Sequence, residues 1–126
     1  MRLRNPLANA HNHGSAGHGL SHWWAQRFSA IALVLLTVWL LWALGSLVGA
    51  SHAEAAALLA HPFHAAMAIL FVVAGIYHGQ LGLQVVIEDY FDSHLVENMA
   101  LIAVRLVSIF GGLLAVIAIL KLALGV

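Results

Sequence analysis

The sequence contains no cysteine, which excludes disulfides, thiolate metal sites and iron–sulfur ligation within this chain. Charge is also scarce, because Asp, Glu, Lys and Arg make up only 8% of the 126 residues, with five basic side chains against five acidic ones. A soluble domain of this size carries far more charge, and the balance gives no indication of nucleic-acid binding. Any redox cofactor must therefore be held by histidine, of which the chain has nine.

Apolar residues are abundant instead. They make up 63% of the chain and fall into three long blocks. A helix of about twenty apolar residues crosses a hydrocarbon core of about 30 Å, and each block is long enough to do so. We therefore expect an all-α membrane protein with three transmembrane helices at about residues 28–48, 63–87 and 99–124. Together they form a single membrane-anchor domain over residues 1–126.

The segments between these blocks are short. Residues 1–27 are polar and lack the apolar core of a cleavable signal peptide, so we expect an N-terminal segment outside the membrane. Residues 49–62 are predicted to form a loop, with Pro62 in the first turn of the next helix. Residues 88–97 are predicted to form an acidic connection between the second and third spans.

The basic residues indicate an orientation. With the N-terminus inside, four of the five lie on or near the cytoplasmic side, and only Lys121 lies near the other side. The positive-inside rule favours this arrangement, so we expect a cytoplasmic N-terminus. The four residues are Arg2, Arg4, Arg27 and Arg105.

His78 lies within the second apolar block and is the most informative residue. On a helix, His78 and Asp89 are eleven positions apart and point almost the same way. Glycines at positions 75, 79 and 82 surround His78 on that face, so a flat group could lie against the backbone there. Haem ligation through the imidazole is one interpretation. The other is a polar side chain hydrogen-bonded to a neighbouring helix.

Depth distinguishes the two histidines of this span. If Ile87 marks the cytoplasmic edge, His78 lies about 14 Å inside, near the middle of the bilayer. His64 lies about 34 Å from the same edge, so it reaches the opposite interface and can be solvated. A low-spin membrane haem usually takes two axial imidazoles. Because only His78 is well placed, the second imidazole should come from another subunit.

Two further residues have two interpretations each. Tyr90 can be an ordinary interfacial tyrosine, or it can donate a hydrogen bond to a quinone carbonyl beside Asp89. Arg27 can extend to the lipid headgroups, or it can contact a buried anionic group such as a haem propionate or a polarised quinone oxygen. The residue types alone favour the ordinary interpretation for both side chains, which is an interfacial tyrosine and an arginine at the headgroups.

Several segments resemble those of one family. A histidine followed, after ten residues, by Asp-Tyr on the middle span of three is the most specific of them. The sequence resembles the hydrophobic membrane anchor subunits of succinate dehydrogenase, the respiratory complex II, over nearly its whole length. The matching segments are RNPL at 4–7, GSA at 14–16, HWWAQR at 22–27, HPF at 61–63, YHG at 77–79, LG at 81–82 and residues 84–90.

The resemblance implies a role for each candidate residue. His78 would be an axial ligand of haem b, and Arg27 would lie near the haem propionates. Asp89 and Tyr90 would belong to the quinone site, with quinone as the substrate. The chain would pack with a second anchor (cytochrome b) subunit into a bundle around a shared haem b.

The resemblance also implies the assembly. A flavoprotein subunit with FAD would oxidise succinate and an iron–sulfur subunit would relay the electrons, in the inner (cytoplasmic) membrane and in contact with lipid. This multi-pass chain would be a non-autonomous part of the enzyme with no succinate-oxidising chemistry of its own.

Two alternatives are a subunit of a two-haem cytochrome b, using His64 and His78, and a non-catalytic membrane scaffold or small transporter subunit.

Overall fold

A computed structural model describes residues 19–126, and within them the chain forms four helices and no strand. Helices α1 (Gly19–Ser46), α3 (Pro62–Tyr90) and α4 (His94–Leu124) are long and apolar enough to cross a membrane, whereas α2 (His52–Ala60) is short. The expectation of an all-helical chain with three membrane-spanning helices is confirmed. Residues 1–18, which include Arg2, Arg4 and most of the predicted N-terminal segment, lie outside the described residues.

All three long helices extend beyond their apolar blocks, and α4 begins at His94 rather than near residue 99. Helix α1 begins at Gly19 rather than near residue 28, and α3 continues through Asp89 to Tyr90, which leaves only residues 91–93 between α3 and α4. The predicted connection over residues 88–97 is therefore mostly helical. Loss of hydropathy marks the edge of the hydrocarbon core, but polar residues such as Gln, Arg and Glu continue a helix readily.

The predicted loop at residues 49–62 is wrong over helix α2. Ser51 caps this helix, because its hydroxyl accepts a hydrogen bond from the Glu54 backbone N–H at 3.3 Å. The Glu54 carboxylate in turn accepts from the Ser51 backbone N–H at 2.7 Å, which completes a capping box. The Ser51 backbone N–H and the Ser51 hydroxyl, which donates to the same carboxylate at 2.8 Å, hold the pKa of the Glu54 carboxyl below its usual value. Pro62 begins α3, as the sequence predicts.

The long helices form a single layer with α3 in the middle. Helix α3 packs against α1 on one side and α4 on the other, and α1 and α4 do not contact each other anywhere in residues 19–126. Buried residues lie on α1 and α3, and α4 has none. The seam between α1 and α3 is therefore the most enclosed part of the described chain. The buried residues of the described chain are Ser29, Leu36 and Ala43 on α1 and Ala65, Leu81 and Ile87 on α3.

Candidate functional site

His78 lies at this seam and directs both ring nitrogens toward α1. Its Nδ1 atom is 2.9 Å from the Ser29 hydroxyl, and its Nε2 atom is 3.4 Å from the Gln26 side-chain nitrogen. Ser29 is buried, and its hydroxyl also donates to the backbone carbonyl of Gln26 at 3.1 Å. The face predicted from the sequence therefore meets a neighbouring helix through polar contacts rather than pointing into lipid.

The three glycines around His78 do not act alike. A Cβ atom on Gly75 would lie 3.8 Å from Leu33, and one on Gly82 would lie 3.8 Å from the Gln26 side chain. Both glycines therefore face α1 at ordinary contact distance. A Cβ atom on Gly79 would meet nothing within 4 Å. The open space that a flat group needs beside His78 is therefore found at Gly79 alone.

The contacts between α1 and α3 also fix the relative heights of the candidate residues. Ser29 is opposite His78 and Leu33 is opposite Gly75, so the helices run antiparallel. Continuing this register at 1.5 Å per residue puts Arg27 level with residue 81, about 12 Å along α3 from Asp89. No ion pair joins Arg27 and Asp89 among the described residues. The structure thus separates Arg27 from the acidic end of the span.

Arg27 itself points away from the seam. Its side chain is exposed, and its guanidinium carbon lies 5.1 Å from the centre of the Trp23 ring, at a distance typical of a cation–π contact. Trp23 in turn packs edge-on against Trp24, with ring centres 5.0 Å apart. The paired tryptophans therefore support an arginine at the polar end of α1.

Asp89 and Tyr90 end α3 and are exposed. The side chain of Tyr90 is 81% accessible, and neither residue has a side-chain hydrogen bond or ion pair within residues 19–126. One turn earlier, the Gln84 side chain donates to the Glu88 carboxylate at 2.7 Å. The polar groups at this end therefore differ, because Glu88 is bonded within the helix while Asp89 and Tyr90 face outward.

His64, near the start of α3, lies in an aromatic cluster that the sequence analysis missed. The Trp39 indole N–H donates to His64 Nδ1 at 3.1 Å, and the Trp42 ring stacks on the imidazole at 5.4 Å between ring centres. His61 and Phe63 lie at 5.5 Å and 5.3 Å. The half-buried His64 is thus covered by rings rather than simply solvated. Trp39 and Trp42 are three residues apart and share a helix face, which was the available signal.

Two polar atoms of α1 are buried without a hydrogen-bond partner among the described residues. They are His22 Nε2 and Gln26 Oε1, four residues apart and so on one face of α1. Buried polar atoms are normally satisfied, so unpaired ones indicate where a polar group from another molecule belongs. The described residues contain no group of three His, Asp or Glu side chains that could hold a metal ion by themselves.

Comparison with known proteins identifies the family. Residues 1–120 match the model of the succinate dehydrogenase/fumarate reductase transmembrane subunit. The chain belongs to this family.

Curated relatives agree with this assignment. The succinate dehydrogenase hydrophobic membrane anchor subunit of Rickettsia bellii is 37% identical over 107 residues, which cover 85% of this chain and 86% of the relative. The subunit of the same name from Rickettsia conorii is 36% identical, covering 79% and 80% of the two chains. The one from Paracoccus denitrificans is 36% identical, covering 73% and 71%. No solved structure matches the chain significantly.

The family and the fold together give the general role of the chain. It is a multi-pass membrane anchor subunit of succinate dehydrogenase, and so one part of a larger enzyme complex. Helix α3 of this anchor carries candidate residues at three heights. His64 lies at one end of α3, His78 lies in the middle, and Asp89 and Tyr90 lie at the other end.

Proposed function

We propose that this anchor subunit holds one haem b through His78, shares it with a second anchor subunit, and forms part of the site where quinone is reduced. His78 carries the proposal, because it is the one histidine among the described residues that lies near the middle of a membrane-spanning helix. Imidazole is the usual axial ligand of membrane haems, and a mid-membrane ionisable residue normally has a function. When bound, haem supplies a one-electron carrier within the bilayer.

The surroundings of His78 fit such a group. Ser29 and Gln26 contact the ring from α1, and open space borders it at Gly79. The Nε2 atom faces the Gln26 side chain at 3.4 Å, so this side chain would move aside for the iron. The described residues offer no second histidine at the same height. A second imidazole for the haem would therefore come from the partner anchor subunit, which would complete a helical bundle around the haem.

Arg27 would hold the anionic edge of the haem. In the register of α1 and α3, Arg27 lies about 5 Å closer than His78 to the Asp89 end of the span. Its exposed guanidinium can turn from Trp23 to a carboxylate, and charge-assisted bonds of this kind are stronger than neutral ones. His22, whose Nε2 atom is unpaired, lies near the same end of α1 as Arg27 and can contribute a further polar contact.

Asp89 and Tyr90 would form this chain's share of the quinone site. The Tyr90 hydroxyl donates a hydrogen bond to a quinone carbonyl, which polarises the carbonyl as electrons arrive. The Asp89 carboxylate lies at the aqueous edge, where it can pass protons to the reduced oxygen. Both side chains are exposed and free of partners within the described chain, so another subunit must supply the rest of the pocket.

The assembly follows from this division of roles. A flavoprotein subunit with FAD would oxidise succinate, and an iron–sulfur subunit would pass its electrons toward the Asp89 and Tyr90 end of α3. We place that end and the N-terminus on the cytoplasmic side of the inner (cytoplasmic) membrane, because Arg27 and Arg105 both lie toward it. No cysteine is available in this chain to hold a cluster.

A difference spectrum of the purified complex tests the proposal. Replacing His78 with Ala should abolish or alter the reduced-minus-oxidised haem spectrum, because the iron loses an axial ligand. His64→Ala is the matched control on the same helix and should leave the spectrum intact. Succinate oxidation by an artificial dye confirms that each variant complex has assembled.

The alternatives give different results in this experiment. An unchanged spectrum in the His78→Ala complex would remove this residue from haem ligation. It would favour the purely structural interpretation, which the contacts of His78 with Ser29 and Gln26 also satisfy. Two haems per complex, both lost when His64 or His78 is changed, would instead favour a two-haem cytochrome b.

A further inference from the structure

The hydroxyl of Ser29 contacts two groups but has only one hydrogen to donate. One contact is the Gln26 backbone carbonyl at 3.1 Å, which can only accept. The hydroxyl therefore donates to this carbonyl, and its oxygen is left to accept from the second contact, His78 Nδ1 at 2.9 Å. On this assignment the hydrogen of the neutral imidazole is on Nδ1.

The Gln26 side chain indicates the same tautomer. Its amide nitrogen is a donor only, and it lies 3.4 Å from His78 Nε2. The ring nitrogen must then be the acceptor, so its lone pair is free of hydrogen. At 3.4 Å this contact is long for a hydrogen bond, and a stronger partner of Nε2 would replace it at little cost.

We propose that Ser29 is a positioning residue for His78. Two hydrogen bonds connect these groups, one from His78 Nδ1–H to the Ser29 hydroxyl and one from that hydroxyl to the Gln26 carbonyl. They fix the ring orientation and keep the Nε2 lone pair available to iron. This inference rests on the proposed haem ligation. Metal-binding histidines usually donate their second N–H to a neighbouring acceptor, which sets the tautomer and raises the basicity of the ligating nitrogen.

Helix α1 contains a natural control for this role. Ser46 makes the same kind of backbone bond, from its hydroxyl to the Ala43 carbonyl at 2.7 Å, but it touches no histidine. A serine that only bonds to its own helix would therefore behave like Ser46. Ser29 differs in being buried and in contacting His78.

The test compares complexes carrying Ser29→Ala, Ser29→Thr or Ser46→Ala. For Ser29→Ala we expect haem to be lost to a competing apoprotein about tenfold more readily, which is the usual size of such second-partner effects. We also expect a more positive haem midpoint potential, because the imidazole donates less electron density. One hydrogen bond corresponds to about two- to tenfold in the equilibrium constant, hence at most about 59 mV for one electron.

The control variants sharpen these expectations. Ser29→Thr retains the hydroxyl and should restore both haem retention and the midpoint potential. Ser46→Ala should match the unmodified complex in both. If Ser29→Ala leaves both quantities unchanged while His78→Ala removes the haem, the positioning role is wrong and the proposed haem ligation stands. If His78→Ala keeps the haem, the ligation itself fails.

A second measurement covers the case in which Ser29→Ala fails to assemble. Nitrogen-15 NMR of the full chain, labelled at histidine and produced in a host that cannot make haem, reports the tautomer of His78 directly. Subtracting the spectrum of a His78→Gln chain isolates its signals. We expect hydrogen on Nδ1. Hydrogen on Nε2 would overturn the inference. In that case the Gln26 amide would have to be turned over, so that its Oε1 atom, which has no partner in the structure, accepts from the ring.

Discussion

The hydrogen bond between Trp39 and His64 allows a quantitative prediction. Replacing Trp39 with Phe keeps an aromatic ring beside the imidazole but removes the indole N–H, which lies 3.1 Å from His64 Nδ1. The net value of one hydrogen bond is about 0.5–1.5 kcal/mol in water-soluble proteins. Between membrane helices the average is about 0.6 kcal/mol, with a maximum of about 1.7 kcal/mol. We therefore expect a coupling of about 1 kcal/mol between the two side chains.

A double-mutant cycle isolates this coupling from the loss of packing. The cycle consists of Trp39→Phe, His64→Ala and both changes together, and the free energy of unfolding of the complex is measured by titration with SDS in mixed micelles. Trp42→Phe is the matched control, because Trp42 stacks on the same imidazole at 5.4 Å but no hydrogen bond joins the two. Its coupling to His64 should be a few tenths of a kcal/mol, since the phenyl ring can still stack.

Two results would refute this reasoning. A coupling between Trp39 and His64 of zero within error would show that the N–H contributes nothing beyond ring contact. Equal couplings for Trp39 and Trp42 would show that stacking rather than hydrogen bonding holds His64. Either result would also remove the physical reason for regarding His64 as a fixed contact between α1 and α3.

Two further predictions concern the exposed end of α3 and the packing of α3 on α4. Tyr90→Phe should slow quinone reduction about three- to tenfold because one hydrogen bond is lost, while dye-linked succinate oxidation persists. Tyr77→Phe is the control. Equal loss of both activities would indicate misassembly instead. Gly112→Ala would place a Cβ atom 3.1 Å from the Ile76 side chain, whereas Gly111→Ala meets nothing within 4 Å. We expect Gly112→Ala to be less stable to SDS than Gly111→Ala by about 1 kcal/mol, and equal stabilities would contradict the close packing of α3 on α4.

Composition and periodicity were sufficient to predict the three membrane-spanning helices. The apolar blocks gave their number and order, and the spacing from His78 to Asp89 placed those residues correctly at the middle and end of α3. The sequence prediction missed helix α2 because this segment is too short to cross a membrane, and its capping signal was not considered. Ser51 and Glu54 are three residues apart, which is the spacing of a capping box, and an alanine-rich segment follows.

The partners of His78 could not be predicted in the same way. Ser29 and Gln26 are 49 and 52 residues from His78 along the chain, so their contacts depend on how α1 is rotated and shifted against α3. No local pattern encodes that register. The same holds for Trp39 and His64, which are 25 residues apart. The haem, the quinone and the partner subunits remain predictions from the family resemblance.

The two sides of α3 make different kinds of contact. Its α1 side carries both hydrogen-bonded histidines, His78 against Ser29 and His64 against Trp39, about 21 Å apart along the helix. Turning α3 by a single residue, or 100°, would break both contacts together, so together they favour one rotation of α3 against α1. The α4 side is closed by the approach of Gly112 to Ile76. Because that approach touches neither histidine, substitutions there should change the stability of the complex without changing the haem spectrum, whereas Ser29→Ala should change haem retention and the midpoint potential.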